Sequence, residues 1–133
     1  MKTRILHTML RTTDLNRSIH FYEQALGMSL LRSFENTEHG YVLAYLGYDR
    51  EEDSCVIELT YNLDKHEYTL GDAYGHIAVG TDNCQALCDQ VSAHGGRITR
   101  APGPLKGGHE IIAFVEDPDG YKIEIVERPE NWF

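Results

Sequence analysis

The sequence predicts an α+β chain of two β-α-β-β-β modules in tandem, and three observations predict it. One β-rich segment, one helical segment and three more β-rich segments follow each other in the first half, and the same order returns in the second. A shift of 69 residues lays His7 on His76, and Asp14, an N-cap type, on Asn83, another. The same shift lays Gly27 on Gly96, each placed to end a helix. The modules are 1–62 and 73–128, joined by a polar, glycine-containing connection, 63–72.

The elements follow in order. LHTML (6–10) is a short strand. TTDLNRSIHFYEQALG (12–27) is a helix capped by Asp14 that presents Leu15, Ile19, Tyr22 and Leu26 on one face. MSLLRSF (28–34), YVLAYLGY (41–48) and CVIELTY (55–61) are strands separated by the polar connections ENTEHG and DREEDS. In the second module GHIAVG is a strand, TDNCQALCDQVSAHGG a helix, and RITRAPG, HEIIAFVED and GYKIEIVE are strands. EDPDGY is the tight turn between the last two, with Pro118 and Gly120 placed as a turn requires.

Composition excludes several classes of partner. The 133 residues are enough for one domain with a core that needs no disulfides. A net charge of −9, from 21 acidic and 12 basic residues with no Lys/Arg-rich run, gives nucleic acid and anionic membranes nothing to bind. No stretch approaches the roughly 20 apolar residues of a membrane span, and the expected location is the cytoplasm. Cys55, Cys84 and Cys88 are an odd number without a C-x-x-C spacing, which speaks against a disulfide framework and a thiolate zinc site. His20, His39, His66, His94 and His109 fall in helical or loop contexts and are expected in solvent, and PLKGGHE (104–110) matches no phosphate-loop motif and is expected to be a mobile loop.

The chemistry lies in two glutamates. Glu58 sits inside the apolar run CVIELTY and Glu124 inside YKIEIVE. A carboxylate in an apolar strand must be protonated, paired with a cation or bound to a metal. His7 precedes Glu58 by 51 residues and His76 precedes Glu124 by 48, so the histidines are equivalent across the repeat and so are the glutamates. Together they offer two nitrogen and two oxygen donors, a set that suits zinc, nickel, cobalt or manganese. Strand alternation places Met9 and Arg11 on the face of His7, and Thr60 and Asn62 on the face of Glu58. Arg11 and Asn62, about 13 Å along from the ligands, are therefore candidates to hold an anionic, amide-rich substrate.

The segments LHTMLRTTDLNRSIHFYEQALGM, CVIELTYN, YGHIAVGTDN and AFVEDPDGYKIEI resemble the bacterial glyoxalase I branch of the vicinal-oxygen-chelate superfamily over almost the whole chain. The resemblance implies lactoylglutathione lyase activity, in which the hemithioacetal of methylglyoxal and glutathione is isomerised through an enediolate to S-lactoylglutathione, a detoxification of methylglyoxal. It implies one divalent metal per site held by His7, Glu58, His76 and Glu124. Because His7 stands where eukaryotic zinc forms have glutamine, Ni²⁺ is expected, with Co²⁺ possible and Zn²⁺ less activating. The resemblance also implies a homodimer whose sites pair His7 and Glu58 of one subunit with His76 and Glu124 of the other. It makes Glu124 and Glu58 the catalytic residues and Arg11, Asn62 and His76 substrate-binding. The cation that eukaryotic relatives place shortly before the second histidine falls near Asp72 here, so glutathione anchoring departs from the eukaryotic pattern. A metal-dependent thioester epimerase and a drug-sequestering module are alternatives. An iron dioxygenase wants two His and one carboxylate, and the fourth ligand counts against it.

Overall fold

Eight strands and two helices are set out in the computed structural model, which describes residues 1–133. β1 (His7–Thr12) leads into α1 (Leu15–His20), a π-helical turn (Phe21–Ala25), and then β2 (Ser29–Asn36), β3 (Tyr41–Gly47) and β4 (Val56–Asn62). β5 (Ile77–Thr81) leads into α2 (Cys84–Ala93) and then β6 (Arg97–Pro104), β7 (Ile111–Glu116) and β8 (Lys122–Glu127). A 3₁₀ turn at Glu130–Trp132 follows, an element the sequence reading lacks. The chain divides into two units, 1–69 and 70–133.

Each unit holds one four-stranded mixed sheet, ordered β1-β4-β3-β2 in the first and β5-β8-β7-β6 in the second. The crossover pair is parallel in both, β1 with β4 and β5 with β8, and the remaining pairs are antiparallel. Parallel neighbours need a long connection, and the helix and two strands between them supply it.

One face of each sheet is covered by its helix. In the first unit Leu10, Ala44, Leu46 and Leu59 are buried with Ser18, Phe21, Tyr22, Ala25 and Leu26. Leu15 and Ile19, assigned to that face from the sequence, are only half-buried. Phe21 and Ala25, the two ends of the π turn, are buried as well. In the second unit Val79, Ala113, Val115, Ile123 and Ile125 are buried along with Cys84, Cys88 and Val91 of α2.

The helix ends explain why the repeat is not exact. Asp14 accepts a hydrogen bond from Arg17 N at 3.1 Å, and Asn83 accepts one from Ala86 N at 3.0 Å, so the two caps lie 69 residues apart. The left-handed glycines that end the helices are Gly27, with φ 75°, and Gly95, with φ 94°, only 68 apart. Gly95 therefore takes the role assigned to Gly96 from the sequence. The first helix is one residue longer, and its π turn takes up that residue, with Leu26 N bonded to Phe21 O at 3.4 Å.

Candidate functional site

In the first unit β1 and β4 run parallel with Met9 level with Glu58. In the second, β5 and β8 run parallel with Ala78 level with Glu124. In both sheets the residue two positions after the histidine lies level with the glutamate. Alternation therefore puts each histidine on its glutamate's face, one step back along the strand. His7 Nε2 stands 2.6 Å from Glu58 Oε2, and His76 Nε2 stands 3.7 Å from Glu124 Oε1. No three His, Cys, Asp or Glu side chains of the chain gather into one cluster.

The two pairs differ in burial. The Glu58 side chain is 12% exposed and the Glu124 side chain 22%. The sequence reading that both glutamates are buried holds for Glu58 alone. His76 lies in the segment just before β5, whereas His7 is the first residue of β1.

Aromatic rings support both pairs, and the sequence reading did not single them out. Tyr45 of β3 lies level with Glu58 and sets its ring edge-on to His7, with centroids 5.8 Å apart at 77°. Phe114 of β7 lies level with Glu124 and meets His76 in the same way, at 5.5 Å and 68°. The 69-residue shift that aligns the histidines also lays Tyr45 on Phe114, so the signal was present in the sequence. Arg32 of β2 stacks on the Tyr45 ring at 3.7 Å and is held by Glu51, whose Oε1 accepts from Nε at 2.6 Å. That guanidinium holds the Glu51 carboxyl below its ordinary value. Burial pushes the Tyr45 phenol up, reinforced by the neighbouring Glu58 carboxylate.

Arg11 is exposed on the His7 face of β1, level with Thr60. Asn62 ends β4 level with Tyr41, and its Nδ2 donates to the Tyr68 hydroxyl at 2.9 Å. A cavity of about 290 Å³ opens beside His76, with Tyr74, Glu116 and Lys122 in its wall. Lys122 is a cation the sequence reading passed over. Of the histidines expected in solvent, His20, His39, His66 and His109 are exposed, and His94 is half-buried at the end of α2. Cys55 is exposed, whereas Cys84 and Cys88 are buried free thiols. In residues 104–110, Gly108 N bonds back to Leu105 O at 2.9 Å, closing a turn. No helix is long and apolar enough to cross a membrane.

Residues 4–125 match the model of the Glyoxalase/Bleomycin resistance protein/Dioxygenase superfamily. The lactoylglutathione lyase of Haemophilus influenzae is 59% identical over 124 residues, which cover 93% of this chain and 92% of that one. The crystal structure of glyoxalase I from Zea mays superposes with a TM-score of 0.92 at 41% identity over 96% of this chain. The chain spans 45% of the maize protein's length. The trypanothione-dependent glyoxalase I of Leishmania major superposes with a TM-score of 0.83 at 43% identity, covering 95% of this chain and 87% of that one.

Proposed function

This chain belongs to the Glyoxalase/Bleomycin resistance protein/Dioxygenase superfamily, and from that premise we propose how it works as a lactoylglutathione lyase, with His7, Glu58, His76 and Glu124 as metal ligands. The observation that carries this reading is the doubled register, with one His and one Glu on one face of each sheet at the same step. The donor chemistry fits a divalent ion, since two imidazoles and two carboxylates make a mixed N/O set and neutralise a double positive charge. Neither unit alone offers enough donors.

The ligand set is completed in a homodimer, in which His7 and Glu58 of one subunit serve with His76 and Glu124 of the other. Met9 and Phe34, exposed at 38% and 48%, support this reading, because their register puts both on the Glu58 face of the sheet, where a partner can cover them. The metal is nickel or cobalt in preference to zinc, a choice that rests on His7. The protein acts in the cytoplasm.

The substrate is the hemithioacetal of methylglyoxal and glutathione. A divalent ion held by His7, Glu58, His76 and Glu124 would supply Lewis-acid polarisation of the substrate, making the hydrogen on the carbon between oxygen and sulfur more acidic. Glu124, the more exposed of the two carboxylates, takes that proton and returns it to the adjacent carbon, while the hydroxyl proton passes to the neighbouring oxygen, which turns the hemithioacetal into a 2-hydroxy thioester with no net loss of atoms. Glu58 lies at the equivalent step of the other module and serves the opposite enantiomer. His76 borders the cavity and orients the substrate as well as binding metal. Arg11 and Asn62 hold the glutathione portion by its carboxylate and amide groups. Glutathione is the proposed thiol, and the trypanothione-dependent relative makes the thiol the feature to test separately.

The test is thioester formation, followed by ultraviolet absorbance, from methylglyoxal and glutathione. Apoprotein reloaded with Ni²⁺ or Co²⁺ is expected to turn over and Zn²⁺-loaded protein to be slow. Chelation abolishes activity and readdition restores it. Absence of turnover with every metal, in protein shown to be loaded, overturns the assignment.

A further inference from the structure

We propose that Lys122 and the cavity beside His76 form an anion subsite that takes a carboxylate of the thiol substrate. The inference deepens the function proposed above and rests on it, because it assigns a further substrate-binding residue and the chemical group that this residue reads.

β8 carries Lys122 two residues before Glu124, so both lie on one face, about 7 Å apart along the strand. Lys122 is level with Glu116 of β7, and its Nζ lies 5.3 Å from the centre of the Phe114 ring. Both residues line the cavity of about 290 Å³ together with His76 and Tyr74. The walls are tied to one another. The Tyr74 hydroxyl donates to the Lys122 carbonyl at 3.1 Å, and the Tyr74 ring stands edge-on to Tyr121 with centroids 5.5 Å apart. Leu70 rests on the turn between β7 and β8, where a β-carbon on Gly120 would lie 3.4 Å from its Cδ1. The approach to β5 and the hairpin of β7 and β8 therefore bound the space together.

The charges in those walls are unequally engaged. Glu116 Oε1 accepts from Arg97 Nε at 3.1 Å and from Nη2 at 2.5 Å, so a cation already answers that carboxylate. Lys122 makes no ion pair, and its one recorded side-chain contact is with the Phe114 ring. A ring face attracts an ammonium without satisfying its hydrogen-bond donors, which stay available to an anion. The chain as a whole has a net charge of −9. That field opposes a tripeptide thiol carrying two carboxylates and one ammonium, so binding depends on local cations. Arg11 is such a cation in the first unit, and Lys122 is one in the second.

The repeat shows that the scaffold does not require a lysine there. The equivalent step of the first module, two residues before Glu58, is Val56, which is 2% exposed and packed against Gly47. In β8 the same step is exposed and cationic.

The experiment measures kcat and KM of Ni²⁺-loaded wild type, K122M and K122R with methylglyoxal and three thiols. These are glutathione, glutathione ethylated at its glycyl carboxylate, and cysteinylglycine, which lacks the glutamyl carboxylate. Calorimetric titration with S-methylglutathione reads binding without turnover, and nickel content is measured on each sample. Loss of the carboxylate that Lys122 holds is expected to raise the wild-type KM roughly tenfold, the scale of a charge-assisted hydrogen bond. K122M is expected to show that rise with glutathione itself, and to lose little more with the thiol whose missing carboxylate Lys122 reads. The effect falls on KM more than on kcat, S-methylglutathione binding weakens in step, and K122R stays close to wild type. The thiol whose penalty disappears in K122M identifies the carboxylate. K122M with wild-type KM and S-methylglutathione affinity overturns the inference. So does K122M with wild-type penalties for both altered thiols, and so does a raised KM that follows lost nickel. Wild-type protein that forms no thioester and binds no S-methylglutathione overturns the function and the inference together, whereas active wild type beside an unaltered K122M overturns the inference alone.

Discussion

Glu124 and Glu58 are the side chains at which function is most easily separated from structure. Glutamine keeps the shape of either and removes the base, so Glu124→Gln is expected to lower kcat by roughly a hundredfold or more, with metal content measured on the same sample to separate lost proton transfer from lost metal. The cysteines test burial instead. Cys55 is exposed and is expected to react with a thiol reagent in the native protein, while Cys84 and Cys88 react only on unfolding. Burial pushes Cys88 up to about 12 from an ordinary value of 9.0. The folded state thus holds that proton more tightly than the unfolded chain does. Its contribution to stability is complete below pH 9.0 and is lost as the pH climbs toward about 12. Melting temperatures across that range are expected to fall less steeply for Cys88→Ala than for wild type.

The helix ends make the test at the level of the element. Gly95 sits at φ 94°, where a side chain is strained, so Gly95→Ala is expected to cost about 1–2 kcal/mol in denaturant unfolding. Gly96, the residue picked out by the repeat, is expected to tolerate the same change better, because it carries no positive φ. Removing the cap by Asn83→Ala is expected to cost about 1 kcal/mol. The caps were legible because Asp14 and Asn83 declare themselves by residue type. The π turn was not, since an extra residue inside a helix changes no residue type and shows only as a repeat that slips from 69 to 68.

At the scale of the molecule the proposed homodimer makes a distinctive prediction. His7→Ala removes a ligand from the first unit and His76→Ala one from the second, and each variant alone is expected to be nearly inactive. If every site joins the first unit of one subunit to the second unit of the other, a mixed dimer of the two variants contains one site with all four ligands. Mixing the inactive proteins and allowing subunits to exchange is therefore expected to restore part of the activity. Sites built within single chains stay dead in the mixture, which makes the rate after mixing decisive.

The amino-acid sequence by itself determined the order of the elements, the repeat and the identity of the four candidate ligands. Those depend on hydrophobic period, capping chemistry and register, all of which are local or counted along the chain. Only the tertiary structure decided what lies beside them. That Tyr45 stands level with Glu58 and Phe114 level with Glu124 follows from the antiparallel pairing of β3 with β4 and β7 with β8, whose register depends on connection lengths and side-chain packing. The same pairing brought Arg32 over Tyr45 and left Glu124 more open than Glu58, so two glutamates equivalent in sequence became unequal in surroundings.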